Sequence, residues 1–286
     1  MPGPRTTPLH ALPESPLSRD PHALYEASVL NVSVDLARFA RIYRSAHGRG
    51  FKTLREDFCG TAALTCAWAR RRPDHRALGV DLDPEVLDWG RRHHVTRLGA
   101  AAERVTLRQG DVRAVRGPHV DVVAALNFSY WVFHERDALR DYFRNVHRSL
   151  TPGGMLFLDA FGGHAAMGTL EERRRISATN ALDGLRMPSF TYVWQQARFN
   201  PVDHGLRCYI HFRLGDGTWL KRAFRYDWRL WTLPEIQELM REAGFSSSAL
   251  YVEGWDERAH ESNGRYLPRR RFENQEGWLA YVVGRR

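Results

Sequence analysis

The stretch that decides the fold reads TLREDFCGTA over residues 53–62 and continues, after a helical segment, as ALGVDLDP over residues 77–84. Each piece begins as a short strand pattern and ends in acidic and small residues. A strand that leads through a helix into a second strand is the repeating unit of a parallel sheet covered on both faces. The stretch therefore predicts an α/β fold whose loops lie open to a ligand where the strands end.

The same alternation extends in both directions from this stretch. Strand patterns occupy residues 53–57, 77–81, 105–109, 120–126 and 155–159, with helical patterns at 62–72, 84–98 and 138–150 between them. Two further strand patterns lie at 249–253 and 278–284. Together they predict a doubly wound, mostly parallel sheet of seven strands.

The C-terminal half has a different pattern. Alternating, aromatic-rich stretches at 190–199, 208–214 and 219–231 predict antiparallel strands, and Gly215-Asp216-Gly217 predicts a hairpin between the last two. Thr232 with Glu235 forms a capping box that predicts a helix over 234–243. The charged stretch 256–275 is expected to be a loop.

Composition excludes several classes of protein. The chain has 286 residues, 43% of them hydrophobic, which is enough for a large buried core and too apolar for overall disorder. No apolar run is long enough to span a membrane, and the N-terminus lacks the apolar core of a signal peptide, so a cytoplasmic location is expected. The 3 cysteines form neither a disulfide framework nor a metal-binding pair, and no metal site is predicted.

The net charge of +9 comes almost entirely from arginine. Short clusters lie at Arg70–Arg72, Arg173–Arg175 and Arg269–Arg271. We interpret them as solvated surface, with phosphate binding as the alternative. Neither Arg70–Arg72 nor Arg269–Arg271 adjoins the strand ends where a ligand would bind, so nucleic acid is not expected as a partner.

Acidic residues at the strand ends are the candidate ligand contacts. Asp81 ends the second strand, where a carboxylate is placed to accept hydrogen bonds from both hydroxyls of a ribose, and Asp111 follows the third strand, where an adenine amino group would lie. Asp57 is expected to face solvent or to form an ion pair, and Asp83 to cap a helix. The G-x-G-x-x-G spacing of a nicotinamide-binding domain is missing from the loop after the first strand.

In combination, these motifs resemble those of the class I S-adenosylmethionine-dependent methyltransferases, over about residues 22–160. Glu56 falls on the acid of the family's first loop and Gly60 on its middle glycine, while Phe58 and Ala62 replace the outer two glycines. Leu150–Gly154 matches the family's L-x-P-G-G turn. The resemblance implies S-adenosylmethionine as cofactor, bound by Glu56, Cys59, Gly60, Thr61, Asp81, Leu82, Asp111, Val112 and Asn127.

The resemblance also implies a domain organisation. Residues 1–20 are expected to be a flexible, proline-rich tail, and residues 21–286 a single methyltransferase domain. Within it we assign a lid helix to 21–50, the cofactor-binding half to 51–160 and the substrate side to 161–286. The oligomeric state is left open.

The acceptor side offers three candidate catalytic residues. Asn127-Phe128-Ser129-Tyr130 is similar to the Asn-Pro-Pro-Tyr of amino methyltransferases but lacks both prolines, and Tyr130 either orients an acceptor or walls the pocket. Tyr25 lies on the helix expected to close over the cofactor. His211 is a candidate base, although a lone histidine is more often structural.

These observations predict an enzyme that transfers a methyl group from S-adenosylmethionine to an N or O atom of a small-molecule acceptor. Two alternatives remain. The first is an RNA or protein N-methyltransferase, which the positive charge favours. The second is a non-catalytic S-adenosylmethionine-binding protein, for which the altered glycine loop leaves room.

Overall fold

A sheet of eight strands organises the larger part of the chain in the computed structural model, which describes residues 8–256 and 261–286. The helices are α1 Pro21–Val29, α2 Val32–His47, α3 Ala63–Arg71, α4 Pro84–His93, α5 Arg136–Ser149 and α6 Leu233–Glu242. The strands are β1 Thr53–Asp57, β2 Arg76–Asp81, β3 Val105–Gln109, β4 Val120–Ala125, β5 Leu150–Gly162, β6 Leu170–Ile176, β7 Thr179–Asn180, β8 Arg186–Met187, β9 Phe190–Phe199, β10 Gly205–Arg213, β11 Trp219–Arg229, β12 Ser247–Asp256, β13 Glu261–Arg269 and β14 Trp278–Arg285.

The strand order of the large sheet is β13-β12-β14-β5-β4-β1-β2-β3. Strands β1 to β5 pair in parallel, whereas β14 runs antiparallel to β5 and β12 antiparallel to β14. The order reverses at β1, so the carboxyl ends of β1, β2 and β4 meet where ligands bind in doubly wound sheets. The predicted mostly parallel fold is confirmed.

The large sheet has one more strand than the sequence predicted. The expected loop over residues 256–275 contains β13, which pairs antiparallel with β12, while residues 257–260 lie outside the described residues. The mostly polar and charged composition of β13 is unusual for a strand, but an edge strand needs few buried apolar side chains. Here Tyr266 is buried, and Pro268 is tolerated because one side of an edge strand needs no backbone partner.

The chain divides into two compact units. The smaller comprises residues up to Asn31 together with Gly168–Asp227, and the larger comprises Val32–Met167 together with Trp228–Arg286. This division differs from the single domain predicted over 21–286. The sequence does not mark the boundary after Asn31, because α1 and α2 have one continuous apolar spacing.

The single lid helix predicted over 21–50 is two helices. Asp20 caps α1 as expected, by accepting the Ala23 backbone N–H at 3.0 Å. At the other end the Ser28 hydroxyl donates to the Leu24 carbonyl at 2.7 Å, a side-chain bond that weakens a helix end, and Leu30 is extended. The helix restarts at Val32 in the larger unit.

Residues 8–20 are not a free tail, contrary to the prediction. The Ser15 hydroxyl is buried and donates to Asp183 Oδ2 at 2.6 Å, and the backbone of Ser15 bonds to Arg186 in β8. The many prolines in this segment still allow a short 3₁₀ turn at Pro16–Arg19. Residues 1–7 of the predicted tail lie outside the described residues.

The smaller unit is built around a four-stranded sheet of order β11-β10-β9-β6. Its pairs β9–β10 and β6–β9 are antiparallel, as the alternating pattern of 190–231 predicted for the first of them. Strand β6 was not predicted, because its run EERRR at 171–175 has no apolar alternation and is exposed.

The main core of the larger unit lies between α2, α3 and the sheet. Leu36, Phe39 and Tyr43 recur at helical spacing on α2 and are buried, and the Phe39 ring lies 4.3 Å from that of Phe157 on β5. Among the described residues, no helix is long and apolar enough to cross a membrane.

Candidate active site

The loop between β1 and α3 has a backbone that normally requires glycine. Phe58, Gly60 and Ala62 have φ angles of 56°, 52° and 61°, all in the left-handed region. Residues with a Cβ avoid this region at a cost of about 1–2 kcal/mol each. The replacement of the two outer glycines of the motif therefore keeps the shape of the loop at the expense of local strain.

The side chains at these two positions are directed into packing. The Phe58 ring lies 5.9 Å from the rings of both Phe133 and Tyr142, and Ala62 is fully buried in a cluster that includes Cys59. At Gly60, by contrast, an added Cβ would meet no atom within 4 Å. The loop thus leaves open space above Gly60 for a ligand.

Asp81 at the end of β2 is held in a fixed orientation. Its Oδ2 accepts the backbone N–H of Gly60 at 2.8 Å and its Oδ1 accepts that of Asp83 at 3.0 Å. The neighbouring Leu82 side chain is 64% exposed, which places an apolar surface beside the carboxylate. Asp83 caps α4 by accepting the Glu85 N–H at 2.9 Å, as predicted.

Two acids at the end of β1 point in opposite directions. Asp57 is buried and forms an ion pair with Arg55, with Nε–Oδ1 and Nη2–Oδ2 distances of 2.6 and 2.8 Å, so the ion-pair interpretation of this residue is confirmed. Glu56 Oε2 accepts the backbone N–H of Thr65 at 2.9 Å and its hydroxyl at 2.5 Å. Burial raises the pKa of Glu56 to about 8, so the carboxyl is largely protonated at neutral pH.

Asp111 after β3 is paired with a cation. Its carboxylate accepts Arg113 Nη2 at 2.6 Å, and this bond lowers the pKa of Asp111. The next residue, Val112, is buried, and its carbonyl accepts Asn145 Nδ2 at 2.8 Å and Arg55 Nη2 at 3.3 Å. These two hydrogen bonds therefore attach the loop after β3 to β1 and α5.

The turn after β4 is held by an acid that sequence reasoning missed. Asn127 and Phe128 have φ angles of 55° and 58°, and their backbone N–H groups donate to Asp159 Oδ2 and Oδ1 at 2.8 and 2.9 Å. Burial raises the pKa of Asp159 to about 7. The strand pattern at 155–159 includes an acid at its end, which was the available signal.

Two glycines also escaped the sequence analysis. A Cβ at Gly90 on α4 would overlap the Thr61 carbonyl oxygen, and one at Gly79 on β2 would lie 2.9 Å from Cys59 Sγ. Both glycines let the loop after β1 approach its neighbours closely. Burial raises the pKa of the Cys59 thiol well above its ordinary value, so this cysteine is a packing group.

Tyr130 is placed differently from the expectation. It is fully buried, and its hydroxyl donates to the backbone carbonyl of Asp159 at 2.9 Å. Burial raises the pKa of Tyr130 well above its ordinary value. This position favours support of the turn at 127–128 over direct contact with an acceptor.

The other two candidates lie in the smaller unit. The Tyr25 ring lies 5.0 Å from that of Phe224, and its hydroxyl is hydrogen-bonded with Tyr226. His211 accepts the Arg222 backbone N–H at Nδ1 over 3.1 Å, so the ring proton is on Nε2, which donates to Gln195 Oε1 at 3.2 Å. Burial lowers the pKa of His211, and both ring nitrogens are occupied within the sheet.

These placements fit the cofactor that the motifs imply. Space above Gly60 lies beside an oriented carboxylate for a ribose, and an exposed apolar side chain adjoins it. The structure brings together Gly60 and Asp81 directly, with Glu56 on the same loop. Tyr25 and His211 belong to the smaller unit.

Comparison with known proteins bears on the same segment. A family model described as a methyltransferase domain matches residues 59–156, from the loop after β1 into β5. No curated protein sequence matches the chain significantly.

Several solved structures share the fold. The amino pentose methyltransferase CalS10 from Micromonospora echinaspora is 19% identical, with a TM-score of 0.65 over 93% of this chain and 95% of its own. DesVI from Streptomyces venezuelae is 16% identical, with a TM-score of 0.65 over 92% and 95%. The sugar N-methyltransferase KedS8 from a Streptoalloteichus species is 18% identical, with a TM-score of 0.60 over 99% of both chains. The family model therefore assigns a methyltransferase domain to residues 59–156, and the chain shares the fold of these methyltransferases.

Proposed function

We propose that the enzyme methylates an N or O atom of a small-molecule acceptor. The observation that carries this proposal is the aromatic cluster of the smaller unit, where Tyr25 packs against Phe224 and bonds to Tyr226. Aromatic rings with hydroxyl groups suit a compact, polar acceptor, because they offer apolar contact and hydrogen bonds at low entropic cost. The amino pentose methyltransferase CalS10 and the sugar N-methyltransferase KedS8 match nearly the whole chain.

The distribution of charge supports a small acceptor over RNA. Cluster Arg70–Arg72 lies at the far end of α3 from the loop after β1. At a rise of about 1.5 Å per residue, the helix separates the two by roughly 13 Å. Several other arginines of the larger unit are paired with acids, among them Arg113 with Asp111 and Arg136 with Glu242. The Arg70–Arg72 cluster therefore lies apart from the loop that adjoins Asp81.

In this proposal each group of the chain has a binding or orienting role. S-adenosylmethionine supplies, when bound, a methyl carbon activated by the adjacent sulfonium. Asp81 would hold the ribose, the turn at Asn127 and Phe128 would border the methionine part, and Glu56 would supply a carboxyl group near the positive charge. Methyl transfer is an in-line displacement, so these residues act by alignment and by exclusion of water.

No strong general base emerges from the three acceptor-side candidates. His211 has both nitrogens bonded, and the Tyr130 hydroxyl is buried against a carbonyl. A neutral amine needs no base before transfer, because its lone pair attacks directly and its proton leaves to water afterwards. The site therefore suits an amine better than an unactivated hydroxyl.

A labelling experiment tests the proposal. The enzyme is incubated with methyl-labelled S-adenosylmethionine and with separated small-molecule, RNA and protein fractions of a cell extract, alongside a panel of amino and neutral sugars. We expect label in the small-molecule fraction, with amino sugars as the better acceptors. Label in RNA or protein would support the alternative substrate classes. Calorimetric binding of S-adenosylmethionine without transfer to any fraction would indicate a non-catalytic protein.

A further inference from the structure

A second concave site lies in the larger unit, away from the strand ends that face the methyl donor. It is a cavity of 460 Å³ bordered by the C-terminal parts of α2 and α3 and by the segments that lead into β1 and β2. Its lining residues Lys52 and His75 precede those strands, so it lies at the amino-terminal edge of the sheet. Asp81 and Gly60 lie at the opposite, carboxyl-terminal edge.

The lining is strongly basic. It contains the five cations Arg44, Arg49, Lys52, Arg71 and Arg72, and a single acid, Asp74. Asp74 pairs with Lys52 at 3.0 Å. Four arginines therefore face one concavity without an acid of their own in the lining, and a cleft lined by one sign of charge concentrates counter-ions.

Three of these arginines have uncommitted head groups. Within residues 8–256 and 261–286, the guanidinium groups of Arg44, Arg71 and Arg72 have no hydrogen-bond or ion-pair partner. Many other arginines of the chain are paired with a nearby acid, as Arg91 is with Asp88 and Arg144 with Asp141. The three free guanidinium groups are thus available to bind an anion bidentately.

The floor of the cavity is a packed stack of aromatic rings. Trp68 stacks between Phe51 and His75, with ring centroids 3.9 and 3.8 Å away and interplanar angles of 11° and 13°. All three rings are buried, so no open ring face remains on which a nucleobase could stack. The ligand must therefore be recognised by its charge.

The C-terminal end of α3 lies at this site, and its carbonyl groups would repel an anion if they had no hydrogen-bond donors. The Trp68 carbonyl is bonded by His75 Nδ1 at 3.2 Å, the Ala69 carbonyl by Arg104 Nη2 at 3.1 Å, and the Arg72 carbonyl by the His75 N–H at 3.2 Å. These bonds occupy two carbonyls in the last turn of α3 and that of its C-cap residue, at the negative end of the helix dipole.

We propose that this cavity binds a small polyphosphate-type anion, with two or more phosphate groups, at a site separate from that of the methyl donor. The volume lies within the range of about 300–1,000 Å³ typical of small-ligand sites, and is far smaller than a nucleic-acid groove. Arg44, Arg71 and Arg72 bind the phosphate oxygens, and the aromatic stack fixes the backbone from which these side chains extend.

The test is calorimetric titration of the whole enzyme with sodium triphosphate at low and high salt. We expect one saturable site whose affinity falls as salt rises, and a loss of at least about tenfold in the triple variant Arg44→Gln, Arg71→Gln, Arg72→Gln. A matched triple variant, Arg269→Gln, Arg270→Gln, Arg271→Gln, removes the same charge from another exposed cluster and should bind as the wild type does. Unchanged affinity for S-adenosylmethionine in both variants shows that the fold survives.

Several results would overturn the proposal. The first is an absence of saturable binding in the wild type. The second is an equal loss of affinity in both triple variants, which would mean that net charge alone attracts the anion. ATP that binds about tenfold more tightly than triphosphate would reveal a base subsite that the packed floor does not provide. A single-stranded RNA that outcompetes triphosphate at this cluster would make it a nucleic-acid surface.

Discussion

Asp81 Oδ2 accepts the backbone N–H of Gly60 at 2.8 Å, and this one bond joins the loop after β1 to the end of β2. The carboxylate is therefore oriented before any ligand arrives, with lone pairs still available on both oxygens. It also means that Asp81 has a structural role in the loop in addition to its proposed contact with ribose.

Removal of the Asp81 carboxylate should weaken cofactor binding more than it weakens the fold. In Asp81→Ala both proposed ribose bonds and the Gly60 bond are lost, so we expect affinity for S-adenosylmethionine to fall by at least about tenfold. Isothermal titration calorimetry measures the effect. Asp81→Asn, which keeps one acceptor oxygen, should lie between this variant and the wild type.

Asp83→Ala is the matched control. It removes a carboxylate two residues away that caps α4, so it should cost about 1 kcal/mol of unfolding free energy. Cofactor affinity should stay near that of the wild type. Equal losses of affinity in the two variants would contradict the proposed contact between Asp81 and the ribose.

The strain at Ala62 predicts an unusual response to glycine. Ala62 and Ala69 are both fully buried, but only Ala62 has a left-handed φ, of 61°. Ala69→Gly within α3 should cost about 1–2 kcal/mol, from the lost methyl and the lower helix propensity of glycine. Ala62→Gly should be at least about 1 kcal/mol milder, because it relieves backbone strain. Chemical denaturation of the two variants measures the difference, and equal costs would contradict a strained loop.

Glu56 predicts a pH dependence of stability. The unfolded carboxyl ionises near its ordinary pKa of 4.5, whereas burial keeps the folded one protonated up to about pH 8. The unfolded chain therefore releases a proton that the folded chain keeps, and stability falls as pH rises from about 4.5 to 8 and then levels off. Glu56→Gln keeps an acceptor for Thr65 and should remove at least about 1 kcal/mol of this fall. Urea denaturation across that pH range measures it, with the exposed Glu85→Gln as a control that leaves the slope unchanged.

Tyr130 and Tyr25 should respond differently to loss of the hydroxyl. Tyr130→Phe leaves the Asp159 carbonyl without its bond, so we expect a loss of about 1 kcal/mol in stability with little change in turnover. Tyr25→Phe should lower kcat/KM for the acceptor by about two- to tenfold, the equivalent of one neutral hydrogen bond, and leave cofactor affinity unchanged. A large fall in kcat for Tyr130→Phe at constant stability would restore this residue as an acceptor contact.

The parallel sheet could be predicted because each of its strands is bounded by residues with a clear local role. β1 and β3 have the predicted limits, and α6 starts at the capping box of Thr232 and Glu235. The edge strands β6 and β13 could not be predicted, because β6 is a run of charged, exposed residues and the sequence of β13 is mostly polar or charged. Both strands form through backbone pairing with a neighbour. Such pairing leaves little trace in side-chain periodicity.

The site was predictable where a residue acts through its own position at a strand end, as Asp81 does. The site was not predictable where a residue contacts the backbone of another residue that is distant in the sequence. Asp159 holds the turn at Asn127 across 32 positions in the sequence, and Gly90 matters only because the Thr61 carbonyl approaches it. Tyr130 shows the same limit, since its sequence neighbours gave no indication that its hydroxyl is used internally.

The division of the smaller unit between two separate parts of the chain has a consequence for biosynthesis. The Ser15 hydroxyl bonds to Asp183, a residue 168 positions later, so the segment around Ser15 finds its partner only after β1 to β5 have emerged from the ribosome. The larger unit in turn receives β14, the neighbour of β5, from residues synthesised after those of the smaller unit. During translation, neither unit has all of its strands until part of the other unit has been synthesised. The two units must therefore fold in overlapping steps.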